Sequence, residues 1–152
     1  MNKRAIIREQ LDKKIVLLEN AGEVLPPPSG WIYAIRYALN MSLRQLAQRL
    51  AITPQSVKEM EEREKQGTIS LMLLRRVAAA LDMRFFYGFI PEDQTLEGMI
   101  EKRAKAMAEK MIERASIQMS LEDQEVSEDR IRKAVDQKTR ELKEKVPKIL
   151  WD

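Results

Sequence analysis

Gln55, Lys58, Glu59 and Glu62 recur at intervals of three to four residues, which places their side chains on one stripe of a helix. Such a stripe carries the chemistry of base-edge recognition in the DNA major groove. Gln55 suits a bidentate contact to adenine, Glu59 can accept from the cytosine amino group, and Lys58 can reach guanine or a phosphate. Donors suited to phosphate lie nearby. Ser42 and Thr53 stand at expected helix starts, where free N–H groups and the helix dipole favour an anion, and Arg44, Gln45, Gln48, Ser56, Arg63 and Lys65 can add donors. Pro54 occupies a first helical position and brings no N–H of its own. Two carboxylates beside phosphates are an electrostatic cost, so the stripe predicts selective binding. The plain alternative, strongest for Glu62, is a solvated helix face.

The elements that must position this stripe are legible from Met41 to Glu61, MSLRQLAQRLAITPQSVKEME. Ser42 can cap a helix whose apolar residues Leu43, Leu46, Ala47 and Leu50 fall at helical spacing, and Thr53-Pro54 opens a second helix carrying Val57 and Met60. Two helices crossing steeply over a turn of about three to four residues need a small residue at the crossing, an apolar residue after the turn and an anchor in the second helix. Ala47, Ile52 and Val57 fill those roles, the pattern of a helix-turn-helix. Ala51 holds the turn position where glycine is easiest, which predicts a slightly strained corner. Val57, Met60 and Glu61 should face inward, with Arg36 and Glu61 forming an ion pair that orients the second helix.

Two further helices complete the bundle. Ser29 is expected to cap one through Trp31, Ile32, Ile35 and Leu39; Ser70 another through Leu71, Leu74, Val77 and Leu81; Gly67 marks the preceding loop. An N-terminal helix repeats Ile7, Leu11, Ile15 and Leu18 and ends before Gly22, and Pro26 to Pro28 should form a stiff extended linker. In Arg84–Pro91, RFFYGFIP, a two-residue period predicts a short strand buried on both faces that pairs with a second copy or a neighbouring segment. Two helical patterns follow, with Leu96, Met99, Ile100, Met107, Met111 and Ala115 in one and Ile131, Val135, Leu142 and Val146 in the other, and Ser127 can cap the second. The expected fold class is all-α: a helix-turn-helix bundle at residues 29–92, a helix and Pro-rich linker at 1–28, and a helical extension for dimer or partner contact at 93–152.

Composition narrows the function classes. The 152 residues include no histidine and no cysteine, which removes disulfides, zinc sites built on those ligands, and every nucleophile–histidine couple. No Gly-rich phosphate loop and no clustered carboxylates suggest a cofactor or metal, so a non-enzymatic protein is expected. No apolar run reaches membrane-spanning length, and Glu9 and Asp12 interrupt the basic start, against a signal peptide. The expectation is a cytoplasmic protein without membrane contact. Net charge is +3, and residues 29–92 hold nine Lys and Arg against six Asp and Glu, whereas residues 93–152 hold thirteen against fourteen. The modest basic excess lies with the reading stripe.

Four helices within about sixty residues, the middle two tightly linked, resemble the lambda-repressor-like domain of Cro/C1 (XRE) regulators. The strings WIYAIRYALNMSLRQLAQRLAIT, EEREKQGTISLMLLRRVAAALDMRFFYGFIP and ASIQMSLEDQEV narrow that resemblance to the small bacterial family called mobile mystery protein A, over about Gln10 to Val126. The resemblance implies an XRE-type DNA-binding regulator encoded beside a Fic-domain partner, in a toxin–antitoxin-like arrangement. It implies that Thr53, Gln55, Ser56 and Glu59 match base- or backbone-contacting positions. Leu43 and Pro54 depart from the pattern, standing where many such domains carry a phosphate-clamping glutamine and a polar base-reading side chain. Two functions are thus expected as alternatives. The first is a sequence-specific transcriptional regulator, dimeric because paired half-sites multiply affinity and selectivity. The second is an antitoxin-like module that neutralises a Fic-type protein, with DNA contact secondary. Direct Fic inhibition uses Ser or Thr, three residues, then Glu-Gly or Glu-Asn; Asp93 precedes Glu97-Gly98 and Ile15 precedes Glu19-Asn20, so neither segment fits.

Overall fold

The structure is a computed structural model that describes residues 2–121 and 127–152; the end of the third family-like string, residues 122–126, lies outside it. The described residues form seven α-helices and no strand: α1 Lys3–Leu17, α2 Trp31–Ala38, α3 Leu43–Leu50, α4 Pro54–Gln66, α5 Leu71–Ala80, α6 Leu96–Leu121 and α7 Glu128–Lys145. The all-α expectation holds at that level. None of these helices is long and apolar enough to cross a membrane. The chain divides into two compact units, residues 21–88 and residues 1–20 with 89–152. The expected boundaries differ from this division, because α1 belongs with the C-terminal helices instead of standing apart with the linker.

In the unit of residues 21–88, hydroxyl caps start three helices. Ser42 Oγ accepts from Gln45 N, Thr53 Oγ1 from Ser56 N and Ser70 Oγ from Leu73 N, at 3.1, 3.1 and 3.2 Å. All four helices of this unit, α2 to α5, then stop in the same manner. Asn40, Ala51, Gly67 and Asp82 take positive φ, and the next residue's amide reaches back to a carbonyl one turn and a half earlier: Met41 N to Arg36 O, Ile52 N to Ala47 O, Thr68 N to Arg63 O and Met83 N to Ala78 O, all within 3.0 Å. Met41 and Ile52, turned inward by these stops, pack against the core of Ile32, Leu46, Ala47, Leu50, Val57, Val77 and Leu81. Leu46, Val57 and Val77 are its largest fully enclosed members.

Ser29 does not cap α2. The residue before the helix is Gly30, at φ 87 with no side chain to offer, and the amides of Trp31 and Ile32 donate instead to the two carboxylate oxygens of Glu64 on α4, both at 2.8 Å. The backbone angle requires glycine, and a Cβ there, 2.9 Å from Glu64 Oε1, would also press on this carboxylate. The expected strand at Arg84–Pro91 is also absent. Residues 83–91 have no regular structure, Phe85 is only half-buried, and Phe86, Tyr87, Phe89 and Ile90 are exposed. The alternation of side chains has no ladder to join among the described residues, and hydrogen bonds to a neighbouring strand are what make a strand.

In the other unit, α6 packs along α7 through Ala104, Ala108 and Leu142, closed at one end by Leu150 on the short 3-10 turn Lys148–Trp151. Met111 and Ala115, expected on the core face of α6, are exposed. The true stripe steps by four through small residues, and alanines let two backbones approach closely. Ile7 and Leu11 of α1 are likewise exposed, while Ala5, Arg8, Asp12 and Ile15 form the half-covered face. That face acts through charge. Asp12 accepts from Leu96 N at 2.8 Å and Glu97 N at 3.4 Å, Arg8 pairs with Glu97 at 2.8 Å, and Thr95 Oγ1 takes Gly98 N, so the opening amides of α6 are satisfied. Ser127 caps α7 through Arg130 N, as the spacing predicts.

Candidate nucleic-acid interface

The corner between α3 and α4 is built from three residues. Ala47 is 1% exposed where the helices cross, Ala51 turns the chain with φ 55 and ψ 42, and Ile52 closes the turn by donating to Ala47 O at 3.0 Å. The side chain at position 51 points to solvent, so the left-handed conformation is the whole cost of alanine there.

Beyond the corner, α4 is anchored on one face. Val57 is completely buried, Met60 half-buried, and Glu61 is 8% exposed with both oxygens held by Arg36, Nε at 2.6 Å and Nη2 at 3.3 Å. The third donor direction of Arg36 goes to Met41 O at 3.0 Å, and its guanidinium stacks 5.4 Å from the Tyr33 ring centre. A buried charge is stable only when its partners are complete, and removing one member of such a pair costs about 3–5 kcal/mol. The expected pair Arg36–Glu61 is therefore present, and it ties α2, the turn before α3 and α4 together.

The opposite face of α4 carries Gln55, Lys58, Glu59 and Glu62, all exposed, with Arg63 and Lys65 exposed beside its end. Ser56 is half-buried, and its hydroxyl lies 2.8 Å from Thr53 Oγ1, so it supports the cap more than it projects outward. Pro54 leaves Gln55 as the one opening amide of α4 without an intrahelical acceptor or a cap, because Ser56 N and Val57 N both return to Thr53. At α3, Ser42 and Gln45 satisfy each other in a capping box, Ser42 N donating to Gln45 Oε1 at 2.8 Å. That leaves the Gln45 amide nitrogen and the Leu43 and Arg44 backbone amides for an outside acceptor. Arg44, Gln45 and Gln48 are exposed, and the two glutamines line an open hollow with Leu39, Asn40, Met41 and Arg49. Leu43 packs against the core, so this position offers only its backbone.

Charge is distributed unevenly within this unit. Arg49 donates to Ala80 O and lies 3.5 Å from Asp82, and Arg36, Glu61 and Glu64 are likewise engaged internally. Glu23, Glu59, Glu62 and Asp82 are then the exposed carboxylates among residues 21–88, Asp82 lying beside Arg49, against Arg44, Lys58, Arg63, Lys65, Arg75, Arg76 and Arg84, none of which makes an ion pair among the described residues. The exposed surface of this unit carries an excess of basic side chains.

Glu64 escaped the sequence reading. Its signal was a glycine, without a hydroxyl cap, placed before an apolar helix, but the carboxylate that answers it stands 33 residues away. No cluster of three potential metal-ligating side chains occurs among the described residues. No protein-family model, curated protein or solved structure matches the chain.

Proposed function

We propose that this protein is a sequence-specific DNA-binding regulator of XRE type, with residues 29–88 as a lambda-repressor-like helix-turn-helix domain and α4 as the helix that enters the major groove. The observation that carries this reading is the two-faced character of α4: Val57 and Glu61 are buried while Gln55, Lys58, Glu59 and Glu62 stand exposed on one stripe. The outward positive balance and the open amides of α3 support phosphate contact by Arg44, Gln45 and Gln48. The mobile mystery protein A-like strings support the same class. Two copies acting together would double the base contacts that one small domain makes.

A titration against the DNA upstream of its own coding sequence, at several salt concentrations, tests the proposal. Gln55→Ala is expected to narrow the gap between cognate and scrambled duplex by about 1–3 kcal/mol. Arg44→Ala is expected to weaken both duplexes alike and to reduce the salt slope by about one phosphate's worth. Equal affinity of the wild type for both duplexes would overturn sequence-specific reading.

One observation favours a second reading. Ile6, Ile7, Leu11, Val16 and Leu17 of α1 are exposed, Leu17 at 85%, which suits a protein-binding module engaging a Fic-type partner. Equal binding to all DNA, together with a stable complex with such a partner, would establish it in place of the first.

A further inference from the structure

We infer that Glu64 is a positioning residue that sets the roll of α4 about its axis and thereby the sequence discrimination of the stripe; the inference rests on the DNA-reading proposal. Val57, Glu61 and Glu64 fall at intervals of four and three on α4, one inward line. Only the first is apolar. Packing of Val57 is non-directional and tolerates rotation, whereas each carboxylate is held at both oxygens: Glu61 by the Arg36 guanidinium, Glu64 by the amides of Trp31 and Ile32 at 2.8 Å each.

The two clamps differ in what they hold. Glu61 is tied to a side chain, Arg36, itself held by Met41 O and the Tyr33 ring, whereas Glu64 is tied to backbone amides at the start of α2, beside Ile32, which is 3% exposed. Glu64 is therefore the direct link from α4 to the α2 backbone. The stripe residues lie on the same helix, with side chains extending about 5–6 Å from its axis, so a roll of about 10° moves their ends by about 1 Å. Hydrogen-bond readout tolerates errors of roughly 0.5 Å. Loss of the Glu64 clamp should blur base reading while leaving phosphate contacts, which are less exacting, in place.

The test compares full-length wild type, Glu64→Gln, Glu64→Ala and Ser70→Ala against a duplex that the wild type enriches from a randomised library and against its scrambled version, below the thermal transition of every variant. Glu64→Gln keeps the size but has one acceptor oxygen in place of two. Ser70→Ala removes the cap of α5 without touching α4 and reports what lost stability alone does. The expected result is a cognate-to-scrambled ratio reduced about tenfold in both Glu64 variants, an unchanged salt slope, and a wild-type ratio in Ser70→Ala. Wild-type discrimination in folded Glu64→Gln would overturn the positioning role while leaving DNA reading intact, as would an equal loss in Ser70→Ala. A wild type that enriches no duplex overturns the DNA reading itself, and the positioning role falls with it.

Discussion

The methyl group of Ala51 sits on backbone in the left-handed region, φ 55 and ψ 42, and touches none of the core that surrounds the corner. That conformation costs a non-glycine residue about 1–2 kcal/mol, while glycine would add about 0.4–1 kcal/mol of chain entropy to the unfolded state. Strain wins, so Ala51→Gly should raise stability by about 0.5–1 kcal/mol, read as a higher urea midpoint with an unchanged slope. A lowered midpoint would show that the methyl group makes a useful contact. The corner itself was legible because Ala47, Ile52 and Val57 have sizes that steric crossing demands. Arg36 and Glu61 were legible as a pair because Arg36 is a charge among apolar neighbours and Glu61 directly follows the Met60 anchor. Glu64 was not, since it is one carboxylate in the run Glu59 to Glu64, and nothing local distinguishes it from Glu62.

At the scale of elements, the same asymmetry between local and distant partners decides what a sequence reveals. Ser42, Thr53, Ser70 and Ser127 cap helices that begin one residue later, and all four were readable. The carboxylates that take the first amides of α2 and α6 come from other helices, 33 and 84 residues distant, and were not, although α6 also has a local hydroxyl cap in Thr95. Periodicity misled in α1, α6 and Arg84–Pro91 for a related reason: large apolar residues mark a stripe strongly, but the covered faces here use Arg8, Asp12, Ala104 and Ala108. Removal of a distant cap leaves two amides unsatisfied at once. Asp12→Ala should therefore destabilise the unit of residues 1–20 and 89–152 by about 1–2 kcal/mol, with faster hydrogen exchange at Leu96 and Glu97. Unchanged exchange at both amides would show that solvent replaces the carboxylate without loss.

At the scale of the whole molecule, each unit has its own buried cluster and its own set of helix caps. Residues 21–88 contain every member of the first cluster, so this fragment alone should be helical and unfold cooperatively by circular dichroism. Residues 89–152 alone lack Asp12 and should melt lower, and a peptide of residues 1–20 added in trans should raise that midpoint. A fragment 21–88 that stays unstructured at all temperatures would show that its core needs the rest of the chain. The division has a consequence for biosynthesis. At roughly 5–20 residues per second, α1 leaves the ribosome about 5–20 s before the whole of α6 has been made, whereas the bundle inserted between them can close as soon as it emerges. Newly made chains thus carry a finished bundle and an orphan helix whose half-covered face, Ala5, Arg8, Asp12 and Ile15, is still bare, the interval in which a holdase chaperone would find it.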